Sequence, residues 1–215
     1  MAVACISLIV GLGNPGERYA NTRHNAGFQF LDAIAGDLGA VLKRESRFAG
    51  RLARGVMNGQ EVRLFAPETF MNLCGDPVAR VTRFYKIPIE EVLVAYDELD
   101  LPPGAVRLKV GGGHGGHNGL RSLFASLGAQ DFVRLRIGIG KPAHTARGGD
   151  YVLKPPTADE AALIESAIQA ARAQLPRIVG GDLGAAMNVL HTTAKNNEND
   201  NDNDNDNDND NDAEA

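Results

Sequence analysis

The chain has 215 residues, 43% of them hydrophobic, which is enough to bury the core of one ordinary domain. Its two cysteines, Cys5 and Cys74, form neither a disulfide framework nor a metal-ligand pattern, so a reducing cytoplasmic setting is expected. No signal peptide is evident, and no apolar run is long enough to span a bilayer.

The net charge of −5 conceals an asymmetry. Nine acidic residues and no basic ones follow Asn196, which leaves 22 basic and 18 acidic side chains, a net of +4, in residues 1–195. A mildly basic body permits a polyanionic partner without demanding one.

In chain order, Ala4–Gly11 is a short β-rich apolar run, predicted to be a buried strand. It ends in Gly11-Leu-Gly-Asn-Pro-Gly16, which satisfies the dinucleotide pattern G-x-G-x-x-G. That pattern binds phosphate only when a helix opens at its glycines, whereas Pro15, Gly16 and the polar residues to Asn21 predict a turn and a loop. Asn21 or Thr22 is the predicted cap of a helix carrying Phe28, Leu31, Ile34, Ala35 and Leu38 on one face. His24 and Asn25 fall in its first turn, off that stripe. The dipole there disfavours imidazolium, and a neutral imidazole can act as a base; a solvated or capping histidine is the alternative.

Phe48–Met57 and Glu61–Ala66 are predicted strands joined by an Asn58-Gly59 hairpin turn. Thr69-Phe70-Met71-Asn72 opens a predicted helix to about Tyr85, with Phe70 and Met71 either an apolar wall beside an amide or ordinary core. Glu91–Ala95 leads through Tyr96 to Asp97-Glu98-Leu99-Asp100, carboxylates at a strand end, where α/β sheets bind ligands.

Ala105–Val110, a strand with Arg107 and Lys109, feeds the stretch Gly111–Leu120. Six of those ten residues are glycine, with His114, His117 and Asn118 among the rest. Glycine is entropically costly to order, so such a run implies close backbone approach to a ligand. A helix over Leu120–Leu127 and an alternating strand over Phe132–Ile139 follow. Arg134 and Arg136 share one face of that strand, as a phosphate clamp or as solvated charge. Thr157 and Glu160 form a capping box for a helix to about Gln174, and a last helical piece spans Leu183–His191. Asn196–Asp212 alternates Asn and Asp without an apolar side chain, so it is predicted to be disordered, and it lacks the glycine and ligand spacing of an EF-hand. Alternating strands and helices indicate an α/β fold around a mixed sheet.

Six segments together resemble the bacterial-type peptidyl-tRNA hydrolases: Val10–Gly16, Thr22-Arg-His-Asn-Ala-Gly27, Pro67-Glu-Thr-Phe-Met-Asn-Leu73, Asp97–Gly104, Gly111–Leu120 and Arg134–Gly140. They stand in the family's order. The resemblance implies a single domain over 1–193, a mixed twisted sheet flanked by helices on both faces (three-layer α/β/α); the acidic tail, 194–215, expected to be disordered from its composition, lies outside the family pattern. It implies a cytoplasmic monomer that hydrolyses the ester between a nascent peptide and the terminal ribose of tRNA, with no metal, cofactor, membrane, covalent intermediate or obligatory protein partner. By position, His24 is the catalytic base, Asp97 its hydrogen-bonding partner, and Asn14, Asn72 and Asn118 line the peptide and ester site with His117 beside them. Tyr19, Phe70 and Met71 match cleft walls, and Lys109 and Arg136 match a pair gripping the tRNA 5′ phosphate. Cys74 stands where the family often has serine, and a buried thiol is expected there.

Three rival readings can be set against this one. They are a dinucleotide oxidoreductase built on Gly11–Gly16, a metal hydrolase using His24, His114 and His117, and an RNA-binding module without turnover.

Overall fold

The apolar runs become seven strands of one sheet in a computed structural model that describes residues 4–142 and 148–192. The strands are β1 (Leu8–Gly11), β2 (Lys43–Glu45), β3 (Gly50–Met57), β4 (Gln60–Pro67), β5 (Val92–Glu98), β6 (Val106–Val110) and β7 (Val133–Gly138). They lie in the order β2-β3-β4-β1-β5-β7-β6. β1 pairs in parallel with both β4 and β5, and β5 in parallel with β7; the remaining pairs are antiparallel, so the sheet is mixed.

Period-two alternation gives this sheet a core on each side. Ile9, Leu93 and Leu135 face α1 (Ala26–Asp37) and α5 (Ala158–Val179), which contribute Phe30, Leu31, Ile34, Ile168 and Leu175. Leu8, Val10, Val92 and Val94 face α2 (Gly75–Tyr85) and α3 (Asn118–Leu127), which contribute Val78, Val81, Leu120 and Leu123. The first two crossover helices, α1 and α2, thus lie on opposite faces, and β1 and β5 mark the point where the winding reverses. Ligands bind at the carboxyl ends of strands at such a point.

The Gly11–Gly16 segment packs rather than binds phosphate. A Cβ on Gly11 would stand 2.3 Å from the carbonyl oxygen of Gly27, and one on Gly27 would stand 2.3 Å from the oxygen of Ala95. A Cβ on Gly13 would meet the Phe28 ring at 2.6 Å. These glycines let α1 lie directly on β1 and β5, and only a one-turn helix, Glu17–Tyr19, follows them. Gly27→Ala should therefore destabilise the fold by about 3 kcal/mol, the upper end for overpacking, because the atoms met are backbone. An unchanged urea midpoint would overturn this account of the helix contact.

Several boundaries differ from the sequence expectations. β1 begins at Leu8 rather than Ala4. Neither Asn21 nor Thr22 caps α1: the Thr22 hydroxyl donates to the Tyr19 carbonyl, and a 3-10 turn over Arg23–Asn25 precedes the helix. The hairpin forms as expected, with Asn58 and Gly59 at positive φ, but Phe48 sits buried in a 3-10 turn before its first strand. The stretch predicted as one helix from Thr69 splits into a 3-10 turn, Met71–Leu73, and α2. Asp97 lies within β5 rather than after it. α3 starts two residues early because the His117 side chain caps it, and α5 keeps its capping box but runs on to Val179. Strand β2 and the short helix α4 (Gly148–Val152) carried no periodic signal. Residues 183–192 are helical. The Asn-Asp segment, its predicted disorder and the boundary at 193/194 lie outside the described residues. No helix among the described residues is long and apolar enough to cross a membrane.

Candidate active site

The turn before α1 and the end of β5 bring together residues 73 positions apart. His24 Nδ1 lies 2.9 Å and 3.0 Å from the two carboxylate oxygens of Asp97. His117 Nε2 lies 3.1 Å from the Asp97 Oδ1, so one buried carboxylate meets both imidazoles. The cleft around them measures about 500 Å³ and is lined also by Glu98, Leu99, Gly116 and Asn118.

Hydrogen-bond logic assigns the protons. The backbone N–H groups of Gly119 and Leu120 donate to His117 Nδ1 at 3.1 Å and 3.3 Å, so that nitrogen carries the lone pair. His117 Nε2 therefore holds the proton and donates it to Asp97. Asp97 likewise accepts a hydrogen bond from the His24 Nδ1–H, which leaves His24 Nε2 as the basic atom. Burial opposes a charged His24, but the charge and hydrogen bonds of Asp97 outweigh it and raise the pKa above its ordinary 6.5. The expectation from the helix dipole was the opposite. The carboxylate wins because it is in direct contact and His24 sits in a 3-10 turn ahead of the helix proper. Burial would push Asp97 up, yet the charges of His24 and His117 and their hydrogen bonds hold it well below the usual carboxylate range.

The ligand atoms of His24, Asp97 and His117 lie within 4.8 Å of one another, close enough to hold an ion. Their hydrogen bonds do not fit that use. A metal-bound histidine donates from its second nitrogen, whereas the second nitrogen of His117 accepts two backbone N–H groups. His114 stands apart from this cluster, its Nδ1 accepting from the Gly116 N–H at 3.1 Å, so the set His24, His114 and His117 does not assemble.

Asn14, three residues past the end of β1, lines not that cleft but a separate pocket of about 290 Å³ with Pro15, Asn25 and Phe28. Its Oδ1 accepts from the Met71 N–H at 2.8 Å, which orients the amide and leaves its NH₂ group as the available donor. Its backbone is held on both sides by the Asn25 side chain, at 2.8 Å and 3.1 Å. Met71 is a core residue packed against α3, where a Cβ on Gly119 would meet its sulfur at 2.6 Å. Tyr19 and the half-exposed Phe70 form an edge-to-face pair with centroids 6.3 Å apart. Asn118 lines both the cleft and a neighbouring groove of about 400 Å³, and Asn72 lines only that groove. Burial pushes the Cys74 thiol up to about 12, which makes it inert at neutral pH.

Lys109 and Arg136 lie on adjacent antiparallel strands, two positions out of direct register, and share a face with Arg107 and Arg134. Arg136 gives its Nε to Glu98 at 3.0 Å. Arg134 is neither solvated nor a clamp. It is buried, donates to the carbonyls of Gly112, Gly113 and Gln130, and lies between the Phe124 and Phe132 rings. The glycine loop is anchored through it.

Sequence reasoning missed Arg23, which pins the His24 turn. Its guanidinium donates to the carbonyls of Lys154 and Pro155, pairs with Glu160 and stacks 4.0 Å over the Tyr151 ring. Its place beside His24, just ahead of an apolar stripe, was the available signal.

A buried imidazole–carboxylate pair at the carboxyl edge of an open α/β sheet, with the Asn118 amide lining the same cleft, is equipment for general acid–base chemistry. Comparison with known proteins narrows this class. The profile of the peptidyl-tRNA hydrolase family matches residues 8–199. Peptidyl-tRNA hydrolase of Saccharophagus degradans is 53% identical over 189 residues, 87% of this chain and 96% of that protein. That of Nitrosomonas europaea is 50% identical over 191 residues, 89% of this chain and 98% of that protein. The crystal structure of peptidyl-tRNA hydrolase from Acinetobacter baumannii superposes with a TM-score of 0.83 at 47% identity, covering 86% of this chain and 94% of that one. The chain belongs to the peptidyl-tRNA hydrolase family.

Proposed function

We infer that the protein hydrolyses peptidyl-tRNA, releasing the peptide and free tRNA, with His24 as the base that activates water. The observation that carries the mechanism is the His24–Asp97 pair, whose hydrogen bonds leave one basic nitrogen at the cleft. His24 Nε2 takes a proton from water as its oxygen attacks the ester carbonyl; the tetrahedral intermediate collapses with the ribose hydroxyl leaving. Asp97 holds the tautomer and stabilises the imidazolium that forms, and His117, with both nitrogens committed, orients Asp97. The Asn14 amide donates to the developing oxyanion, Asn72 and Asn118 hold the peptide, and Tyr19, Phe70 and Met71 wall its path. No metal or covalent intermediate enters this scheme.

Lys109 and Arg136 grip tRNA phosphate in this reading, supported by their shared face and by the basic body. The enzyme then works as a monomer in the cytoplasm, a reducing compartment that the two free cysteines fit.

The test is release of an N-blocked aminoacyl group from tRNA in strong chelator. Turnover supports the metal-free scheme, loss of activity restored by a divalent ion sinks it, and tRNA binding without turnover leaves only an RNA-binding module. Lys109→Ala should raise KM about tenfold at low salt with kcat held, and should lower the steepness of the salt dependence by about one phosphate contact. An unchanged salt slope would remove Lys109 from the phosphate site.

A further inference from the structure

The acidic segment 196–215 has no part in the mechanism. The family match ends at residue 199, and the stretches shared with the two bacterial relatives already cover 96% and 98% of those proteins. The segment carries nine carboxylates and no cation, and from 196 to 212 no apolar side chain. Hydrophobic burial cannot attach such a segment to a surface, and charge can.

Where the chain leaves the described body decides which charges it meets. The helix over 183–192 ends against the edge strand β6, where the Leu108 N–H donates to His191 Nε2 at 3.2 Å. Leu108 lies between Arg107 and Lys109. His191 titrates below its ordinary value because of burial first, then because of Arg107 and Arg136. In the β6–β7 register Arg107 stands opposite Arg136, and Lys109 opposite Arg134. The helix packs Leu183, Ala186 and Leu190 on the sheet face that carries Leu108 and Leu135, the reverse of the basic one. At His191, however, it has reached the edge of β6, so only the width of an edge strand separates the last described residues from Arg107 and Lys109. Twenty residues reach at most ~70 Å, so span is no obstacle. An extended chain with aspartate at every second position presents its carboxylates on one side, about 7 Å apart. A tether this close holds them at about millimolar effective concentration.

We propose that residues 196–215 dock on the Arg107–Lys109–Arg136 face of their own chain and compete there with tRNA phosphates. The competition rests on the reading of that face as a phosphate site; the docking does not. Bound this way, the segment weakens tRNA binding at low salt and leaves the chemical step alone.

The experiment compares the full chain with a full-length variant whose seven aspartates between 200 and 212 are changed to asparagine. The variant should bind deacylated tRNA about tenfold more tightly at ~50 mM salt, with kcat unchanged, and the difference should vanish near ~0.5 M, where screening is short-ranged. Lys109→Ala placed in both chains should shrink that gain. A synthetic peptide of residues 196–215 should shift the amide resonances of β6 in the variant, measured without tRNA. Equal tRNA affinities at low salt overturn the competition. A gain independent of Lys109 overturns docking on this face in favour of general repulsion, and unshifted β6 resonances overturn the docking itself. If the protein binds no tRNA at all, the functional reading falls, and the peptide titration still decides the docking.

Discussion

His24→Ala is expected to lower kcat by about 10²–10⁴-fold while tRNA affinity stays within about twofold, the range for removing a positioned general base. His24 reaches the cleft through one nitrogen, and its other nitrogen is taken up by Asp97. In the proposed scheme the substitution deletes the proton acceptor without touching the Lys109–Arg136 face. It also removes a donor from the buried Asp97, so the fold should lose about 1.5–3 kcal/mol, the contribution of a hydrogen bond to a charged group. Thermal melting separates that loss from the kinetic one, since a folded variant at assay temperature isolates the chemistry. In the unaltered enzyme the acid limb of kcat/KM should fall above pH 6.5, because Asp97 raises the pKa of a base that must be unprotonated to act. An alanine variant retaining more than a tenth of the rate would make another group the base.

Asp97→Asn should be comparably severe, about 10²–10⁴-fold in kcat, for a different reason. Asp97 accepts one N–H from His24 and another from His117. Asparagine offers one oxygen and one NH₂, so one imidazole faces a donor where it had an acceptor. His117 is held to its tautomer by two backbone N–H groups. His24 is the ring free to change, and if it moves its proton to Nε2 it ceases to be a base. With the carboxylate gone, only burial acts on His24, so the acid limb of the residual activity should move to lower pH. A rate within tenfold and an unmoved limb would show that Asp97 does not set the tautomer.

The same pair links stability to pH in the opposite sense. His24, raised in the fold, contributes stability that is complete below its unfolded pKa of 6.5 and is lost as pH rises through the folded value. Asp97, depressed in the fold, contributes stability that is complete above its unfolded pKa of 3.8 and is lost as pH falls through the folded value. The pair stabilises most between these limits, at pH values below the catalytic limb.

How much of this could be read from the chain varies with the physics behind each feature. The hairpin at Asn58-Gly59 and the capping box at Thr157 and Glu160 were legible because a few adjacent residues decide them. The strands β1, β4, β5 and β7 were legible from buried apolar alternation, and the family was legible from six segments in order. Boundaries were not: α1 begins at Ala26 because the Arg23–Asn25 turn is fixed by contacts with residues 154–160, far along the chain.

Sequence alone determined that the chain carries an α/β fold, a glycine loop bearing His117 and Asn118, a candidate base at His24 and a carboxylate at Asp97. Only the tertiary structure decided which of these meet. It joined His24 and His117 to one carboxylate, left His114 outside, and oriented the Asn14 amide through the Met71 N–H. It turned Arg134 inward to the glycine loop while Lys109 stayed exposed. Periodicity reports how each residue lies within its own element; hydrogen-bond partners and proton positions are set by contacts between elements distant in sequence, which appear only when the sheet is assembled.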